Sequence, residues 1–89
     1  MRAVVTVLGS DKIGIIAKVT AVLAEYNVNI LDISQTIMQN IFTMIMLVDI
    51  SKSNIPFSQL VDVLDETGKE LGVDIKTQHE DIFNSMQEI

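Results

Sequence analysis

Residues 28–50 read VNILDISQTIMQNIFTMIMLVDI. This run is rich in β-branched and apolar residues, and Asn40 breaks it. It predicts a strand over 28–39, a turn at Asn40 and a second strand over 41–50. In the first strand the alternation slips: Val28 and Ile30 have one parity, Ile33 and Ile37 the other. A β-bulge near Leu31-Asp32 accounts for the slip, because one extra residue reverses the facing of everything after it. In the second strand Ile41, Ile45 and Leu47 share one face, and Phe42, Met44, Met46, Val48 and Ile50 share the other. A strand apolar on both faces requires cover on two sides.

The flanking segments set the architecture around this hairpin. Residues 2–8 are Val-rich and run into Gly9-Ser10, a strand followed by a turn. Residues 12–26 place Ile15, Ile16, Val19, Val22, Leu23 and Tyr26 at helical spacing, with Asp11 as the expected N-cap. Gly14 falls inside that helix, where Gly costs about 1 kcal/mol relative to Ala. Asn27 tolerates the left-handed conformation of a helix end. After the loop at 51–54, Pro56 fits a first helical position. Phe57, Leu60, Val61, Leu64, Gly68 and Leu71 then form one stripe, and Gly72 closes the helix. Gly68 on that stripe predicts close packing against the sheet. Residues 73–78 alternate as a half-exposed edge strand. Residues 79–89 hold a short C-terminal helix opened by Glu80 and Asp81, with Ile82, Phe83, Met86 and Ile89 as its apolar side.

The order is β-α-β-β-α-β plus a terminal helix, all within one domain over 1–89. Right-handed crossovers make this an α+β, ferredoxin-like βαββαβ sandwich, with the first and third strands central. Two helices cover one sheet face. The C-terminal helix covers about half of the other, and the remaining apolar surface calls for a partner. The expectation is a homodimer or higher assembly, formed through the free sheet face or an edge strand.

Composition removes several classes of function. At 89 residues the chain has room for one small domain. There is no Cys, so disulfides and thiolate chemistry are excluded. The net charge of −6 argues against nucleic acid as partner, because a phosphate backbone is held by many cations. No apolar run reaches the roughly 18–20 residues of a membrane span, and the N-terminus lacks a signal-peptide pattern. The expected location is therefore cytoplasmic. The charge excess lies wholly in residues 46–89, which makes the first half the better place for a small anion.

Catalytic templates fail in turn. An RNA-recognition module needs aromatics on central strands, and only Phe42 is present there. A soft-metal chaperone needs a Cys pair in the first loop. An acylphosphatase-like enzyme needs an Arg in that loop, where this chain has Gly9-Ser10-Asp11-Lys12-Ile13-Gly14. Lys12 offers a point charge to phosphate, but no nucleophile is positioned beside it. His79 reads as a cap or surface residue rather than a metal ligand. Ser10 and Ser34 have no His in reach. Asp62, Asp65, Glu66 and Glu70 read as a solvated helix face, and the five Met as core and interface filling. No enzyme activity, metal or cofactor is implied.

What remains is Asp11-Lys12-Ile13-Gly14-Ile15 at a helix start, with Asn27-Val28-Asn29-Ile30 beside the far end of the same helix. These two runs resemble the signature of ACT domains, small βαββαβ modules that bind amino acids or related ligands and regulate metabolism. The continuation Asp32-Ile33-Ser34-Gln35-Thr36, then Phe42-Thr43-Met44, is similar to a family of short, free-standing single-ACT proteins. That family is related to the ACT repeats of the glycine-cleavage-system transcriptional repressor. The terminal Ile82-Phe83, Met86 and Ile89 pattern resembles the same family's tail. The resemblance implies a ligand site at a dimer interface. The loop before the first helix would give backbone N–H groups to a ligand carboxylate, the position of Asp11 would hold an amino group, and Asn29 would reach in, frequently from the partner chain. Asp11, Lys12, Ile13, Gly14, Ile15, Asn29 and Ile30 are the candidate ligand-binding residues. Elementary chemistry agrees: a helix N-terminus favours an anion, Gly permits close approach, and Asn both donates and accepts.

A plainer reading stands beside this one. Asp11 is then an N-cap, Gly14 a packing contact and Asn29 a turn residue, and the chain is an interaction module that assembles through its sheet without a ligand. Most ACT domains are tethered to the enzyme or repressor they control. No catalytic or DNA-binding segment is evident here, so regulation would act in trans on a separate protein.

Overall fold

A computed structural model describes residues 1–10 and 13–87, the last two of these by backbone alone. The element order is β1 (Arg2–Ser10), α1 (Ile15–Glu25), β2 (Asn29–Met38), β3 (Ile41–Asp49), α2 (Phe57–Leu71), β4 (Asp74–His79) and α3 (Glu80–Gln87). The four strands form one antiparallel sheet in the order β2-β3-β1-β4. The two crossovers place β1 and β3 in the middle, as right-handed connections require. Residues Glu88 and Ile89, expected in the terminal helix, lie outside the described residues, as does the Met86 side chain.

The bulge falls where the hydrophobic slip put it: the β2–β3 register shifts between Ile30 and Asp32. Beyond it Ile33 and Ile37 pair with Met46 and Phe42, on the same face as the helices. The hairpin turn is Gln39-Asn40, with φ of 49° and 73°. Positive φ at both central residues is the two-residue hairpin geometry that matches strand twist. Gln39 therefore belongs to the turn, and the strand expected over 28–39 stops at Met38.

Alternation divides β1 and β3 into an inner and an outer face. Ala3, Val5 and Val7 of β1 are buried with Phe42, Met44, Met46 and Val48 of β3. Ile15, Val19, Val22 and Leu23 of α1 and Leu60 and Leu64 of α2 close over them. Val4 points the other way and is still buried. α3 packs on β1 and β4, and among the described elements it is the one left to cover Val4. The cover does not extend to Ile41 and Ile45, which are 54% and 38% exposed.

Both long helices end in the same device. Asn27 (φ 61°) and Gly72 (φ 73°) each take the left-handed conformation. The N–H groups of Val28 and Val73 then return to the carbonyls of Leu23 and Gly68, at 2.9 Å each. This satisfies carbonyls that have no helical partner. At the other end, Gly14 rather than Asp11 holds the N-cap position of α1, so the helix begins at Ile15 instead of 12. β1 likewise runs through Gly9 and Ser10 instead of turning there. Pro56 sits one place before the helix that it was expected to open, with an extended ψ of 155°.

Gly68 shows the close packing its place on the stripe predicts. A Cβ there would lie 2.8 Å from the Val73 carbonyl oxygen and 3.1 Å from Ile75 Cγ1. The carbonyl is backbone and cannot swing aside. Gly68→Ala is expected to lower stability by about 1–3 kcal/mol, the usual cost of overpacking, despite the better helix propensity of Ala. Thermal unfolding of the variant checks this; an unchanged or raised midpoint would show that β4 yields freely.

Candidate functional site

The structure separates the candidate residues into two groups at opposite ends of α1. The first group surrounds the helix start. Gly14 has φ 91° and ψ −1°, a conformation in which L side chains are strained. Among the described residues, a Cβ added at Gly14 would meet nothing within 4 Å. The backbone angle favours glycine at this position, and among the described residues none packs on it. Ile13 is fully exposed and Ile15 is buried at 2%. Asp11 and Lys12 lie outside the described residues. The first turn of any helix leaves N–H groups without intrahelical acceptors, and these carry the positive end of the helix dipole.

Beside this helix start lies an open depression of about 440 Å³, lined by Gly14, Ile15, Ile16, Ala17, Gln35, Ile37 and Phe42. Its walls are mainly apolar. Ile16, read from periodicity as a core residue, is 38% exposed and forms part of this wall. Ile37, on β2, is 59% exposed. Ile16, Ile37 and Phe42 thus set an apolar wall beside the first turn of α1.

The second group sits where α1 hands over to β2. Asn29 is exposed and opens β2 opposite Asp49, and Ile30 is half-buried opposite Val48. A more polar hollow of about 390 Å³ is lined here by Ala24, Asn27, Val28, Asn29, Asp49 and Lys52. Asn27 Nδ2 donates to the Lys52 carbonyl at 2.8 Å, which ties the helix end to the loop after β3. Asp49 Oδ1 accepts from the Ser51 hydroxyl at 2.6 Å and from the Ser51 N–H at 2.9 Å. The hydroxyl first, then the N–H, hold the Asp49 carboxyl below its ordinary value of 3.8. Asp49 and Lys52 were not among the candidates from sequence. Their place opposite Asn29 follows from strand register, which spacing alone does not give.

α1 is 11 residues long, about 16 Å at 1.5 Å per residue. Along β2 the eight steps from Asn29 to Ile37 cover roughly 26 Å. One small amino acid cannot touch both groups within one chain.

Elsewhere the chemistry is that of a surface. Asp62, Asp65, Glu66 and Glu70 are exposed, and Lys69 pairs with Asp65 and Glu66 at 3.6 and 3.7 Å. His79 Nδ1 accepts from the Asp81 N–H at 3.1 Å, so it caps the start of α3. No three His, Asp or Glu side chains gather as a metal site among the described residues. No helix among them is long and apolar enough to cross a membrane.

The βαββαβ order, with β1 and β3 in the middle of one antiparallel sheet, defines a class of small ferredoxin-like domains. The ACT domain family model matches residues 2–78, and the chain belongs to that family. Within it, the chain is similar along its whole length to proteins of the UPF0237 group. One from Clostridium acetobutylicum is 60% identical over 89 residues, covering all of both chains. One from Methanocaldococcus jannaschii is 57% identical over 88 residues, covering 99% of this chain and 98% of that protein. Among solved structures, the ACT domain protein from Streptococcus pneumoniae superposes with a TM-score of 0.82 at 41% identity, covering 93% of each chain. A structure titled as a candidate glycine cleavage system transcriptional repressor gives a TM-score of 0.73 at 23% identity over 86% of this chain and 44% of that one, a likeness of fold alone. ACT domains are typically regulatory, ligand-binding modules.

Two outcomes follow from the local geometry. Gly14→Ala is expected to cost about 1–3 kcal/mol from backbone strain alone, and Gly14→Asn less, because Asn tolerates the left-handed region. Equal stability of Gly14→Ala and wild type in urea unfolding would contradict the strained conformation. Asp49 is expected to titrate below 3.8 by carboxyl NMR, and Ser51→Ala to move it back up. A lowered pKa stabilises the fold above the unfolded value and withdraws that stability as pH falls through the folded value. An unmoved Asp49 titration in Ser51→Ala would disprove the hydrogen-bond cause.

Proposed function

We propose that the chain is a regulatory amino-acid sensor whose ligand sits between two copies. The Asp11–Ile15 loop of one copy and Asn29-Ile30 of the other supply the contacts. The observation that carries this reading is the split of the candidate residues across the two ends of a free edge strand. β2 is an edge strand with nearly every residue exposed. Such an edge is a template for pairing. A two-fold axis through the middle of β2 pairs it antiparallel with itself, Asn29 opposite the partner's Met38. The polar hollow at Asn29 then adjoins the partner's Gly14 depression, and the 26 Å separation disappears. Two identical sites form per dimer, as an isologous contact requires.

In each site the helix start takes the ligand carboxylate through N–H groups, and Asp11 takes the ammonium. Asn29 adds a donor and an acceptor from across the interface. Asp49 and Lys52 lie behind it. Binding joins the two chains more firmly, because each site spans both. On this reading the bound state is read by a separate protein, in trans, in the cytoplasm. The reading includes no catalytic step. If no ligand binds, the same edge supports the alternative role, a structural module that assembles through its sheet.

A thermal-shift screen over the twenty amino acids separates these roles. A ligand at 100 times its Kd adds about 2.7 kcal/mol of stability. The sensor reading expects one or a few amino acids to raise the midpoint at millimolar concentration. No shift for any of them favours assembly alone. The composite site has a sharper check. Asp11→Ala and Asn29→Ala are each expected to abolish the shift, and their mixture to regain part of it, because a mixed dimer rebuilds one intact site. Failure of the mixture to regain any shift, with dimers formed, would place the site within one chain.

A further inference from the structure

We propose that the groove between α1 and α2 docks a basic amphipathic helix of a separate protein. The groove is formed within one chain, on the helix layer. It therefore depends neither on the ligand site nor on the β2 pairing proposed above.

Chain order makes the groove. α1 follows β1 and α2 follows β3, and these two strands are antiparallel neighbours. Each helix folds back along the sheet, so α1 and α2 run side by side in opposite directions. Between them lies an open hollow of about 330 Å³ whose lining is mainly apolar. Val22 and Val63 supply apolar surface, together with Thr67. The Thr67 hydroxyl donates to the Val63 carbonyl at 2.9 Å, so it makes no polar demand on an occupant. The α1 wall runs from Lys18 to Glu25, about 11 Å, and the α2 wall from Asp62 to Glu70, about 12 Å. That length takes two turns of a docked helix.

The charge around the apolar floor says which kind of helix fits. Glu25, Asp62, Glu66 and Glu70 rim the groove, and Lys18 stands against them. Among the described residues, Glu25, Asp62 and Glu70 have no ion-pair partner. Glu66 shares Lys69 with Asp65. Asp62, Glu66 and Glu70 follow one another at one residue per turn, about every 6 Å. A ridge of Lys or Arg at i, i+4 and i+8 of a partner helix has the same repeat. Glu25 closes α1, whose last turn holds no basic residue. A carboxylate there meets the negative end of the helix dipole, an unfavourable place that an incoming cation relieves. The floor argues against a small hydrated cation, which gains nothing from Val22 and Val63. An aliphatic ridge beside the basic one buries against both, as in other helix-in-groove contacts.

Fluorescence anisotropy with the full chain and a labelled helical peptide of about 18 residues tests the proposal. The peptide carries Lys at i, i+4 and i+8 and Leu at i+3 and i+7, on adjacent ridges. Wild type is expected to bind it, and Glu25→Lys and Asp62→Lys each to weaken binding about fivefold. Glu25→Lys is also expected to hold or raise the unfolding midpoint, which separates the loss from misfolding. Asp74→Lys makes the same charge change on the outer side of the sheet, and affinity there is expected to stay within about twofold. Replacing both Leu of the peptide by Ser is expected to weaken binding as much as either groove variant. No binding up to about 1 mM peptide overturns the proposal. So does binding indifferent to Glu25→Lys and Asp62→Lys, or an equal loss in Asp74→Lys. Binding that survives removal of the Leu pair marks a counterion effect and overturns it too. The thermal-shift screen for a ligand reads independently of all these outcomes.

Discussion

The packing of α1 and α2 against the inner faces of β1, β3 and β4 is the contact on which everything else depends. It buries Val5, Val7, Met44, Met46, Val19, Leu23, Leu60 and Leu64 almost completely. Two helices are too few to cover four strands on two sides. With β1 and β3 fixed in the middle by chain handedness, the shortfall falls on β2 and on the outer face. Among the described residues, Leu31, Ile33, Ile37 and Met38 on β2 and Leu8, Ile41 and Ile45 on the outer face are left in water. An apolar surface of that extent costs stability in an isolated chain and contributes it in an assembly.

The same shortfall generates the functional reading. A fully covered chain would hold its helix start and its Asn29 hollow as two unrelated surface features. A chain with a free edge strand joins them, because antiparallel pairing of that strand with itself exchanges its two ends. In the proposed dimer a ligand would meet recognition groups from both copies. There binding and assembly would share one equilibrium, and a partner protein that senses the assembled face would sense the ligand.

Much of this fold was legible in the residues. The parity slip between Ile30 and Ile33 located the bulge, and Gly68 on an apolar stripe located the tightest helix–sheet approach. Asn27 and Gly72 marked the helix ends because few residues tolerate their backbone angles. The failures have physical causes too. Gly14 was placed inside α1 because its apolar neighbours keep helical spacing, while its positive φ belongs to the turn before the helix. Ile16 was placed in the core because periodicity reports a helix's apolar side and not how far the sheet extends beneath it. Gln39 joined the turn because a two-residue hairpin needs positive φ at both positions, and only Asn40 announces that. For the site, Asn29 beside the far end of the helix followed from helix length. Asp49 and Lys52 did not, since only the β2–β3 register brings them to Asn29.

The central claim is that β2 pairs with β2 of a second copy in the register that sets Asn29 against Met38. Directly opposed antiparallel residues have Cα atoms about 4.5–5.5 Å apart, within the range a disulfide spans. The chain has no Cys of its own, so an introduced pair reports without background. Under mild oxidation, Asn29→Cys mixed with Met38→Cys should give a covalent dimer, while either variant alone stays uncrosslinked. Cross-linking of Asn29→Cys with itself, or no cross-link in the mixture, would contradict the account.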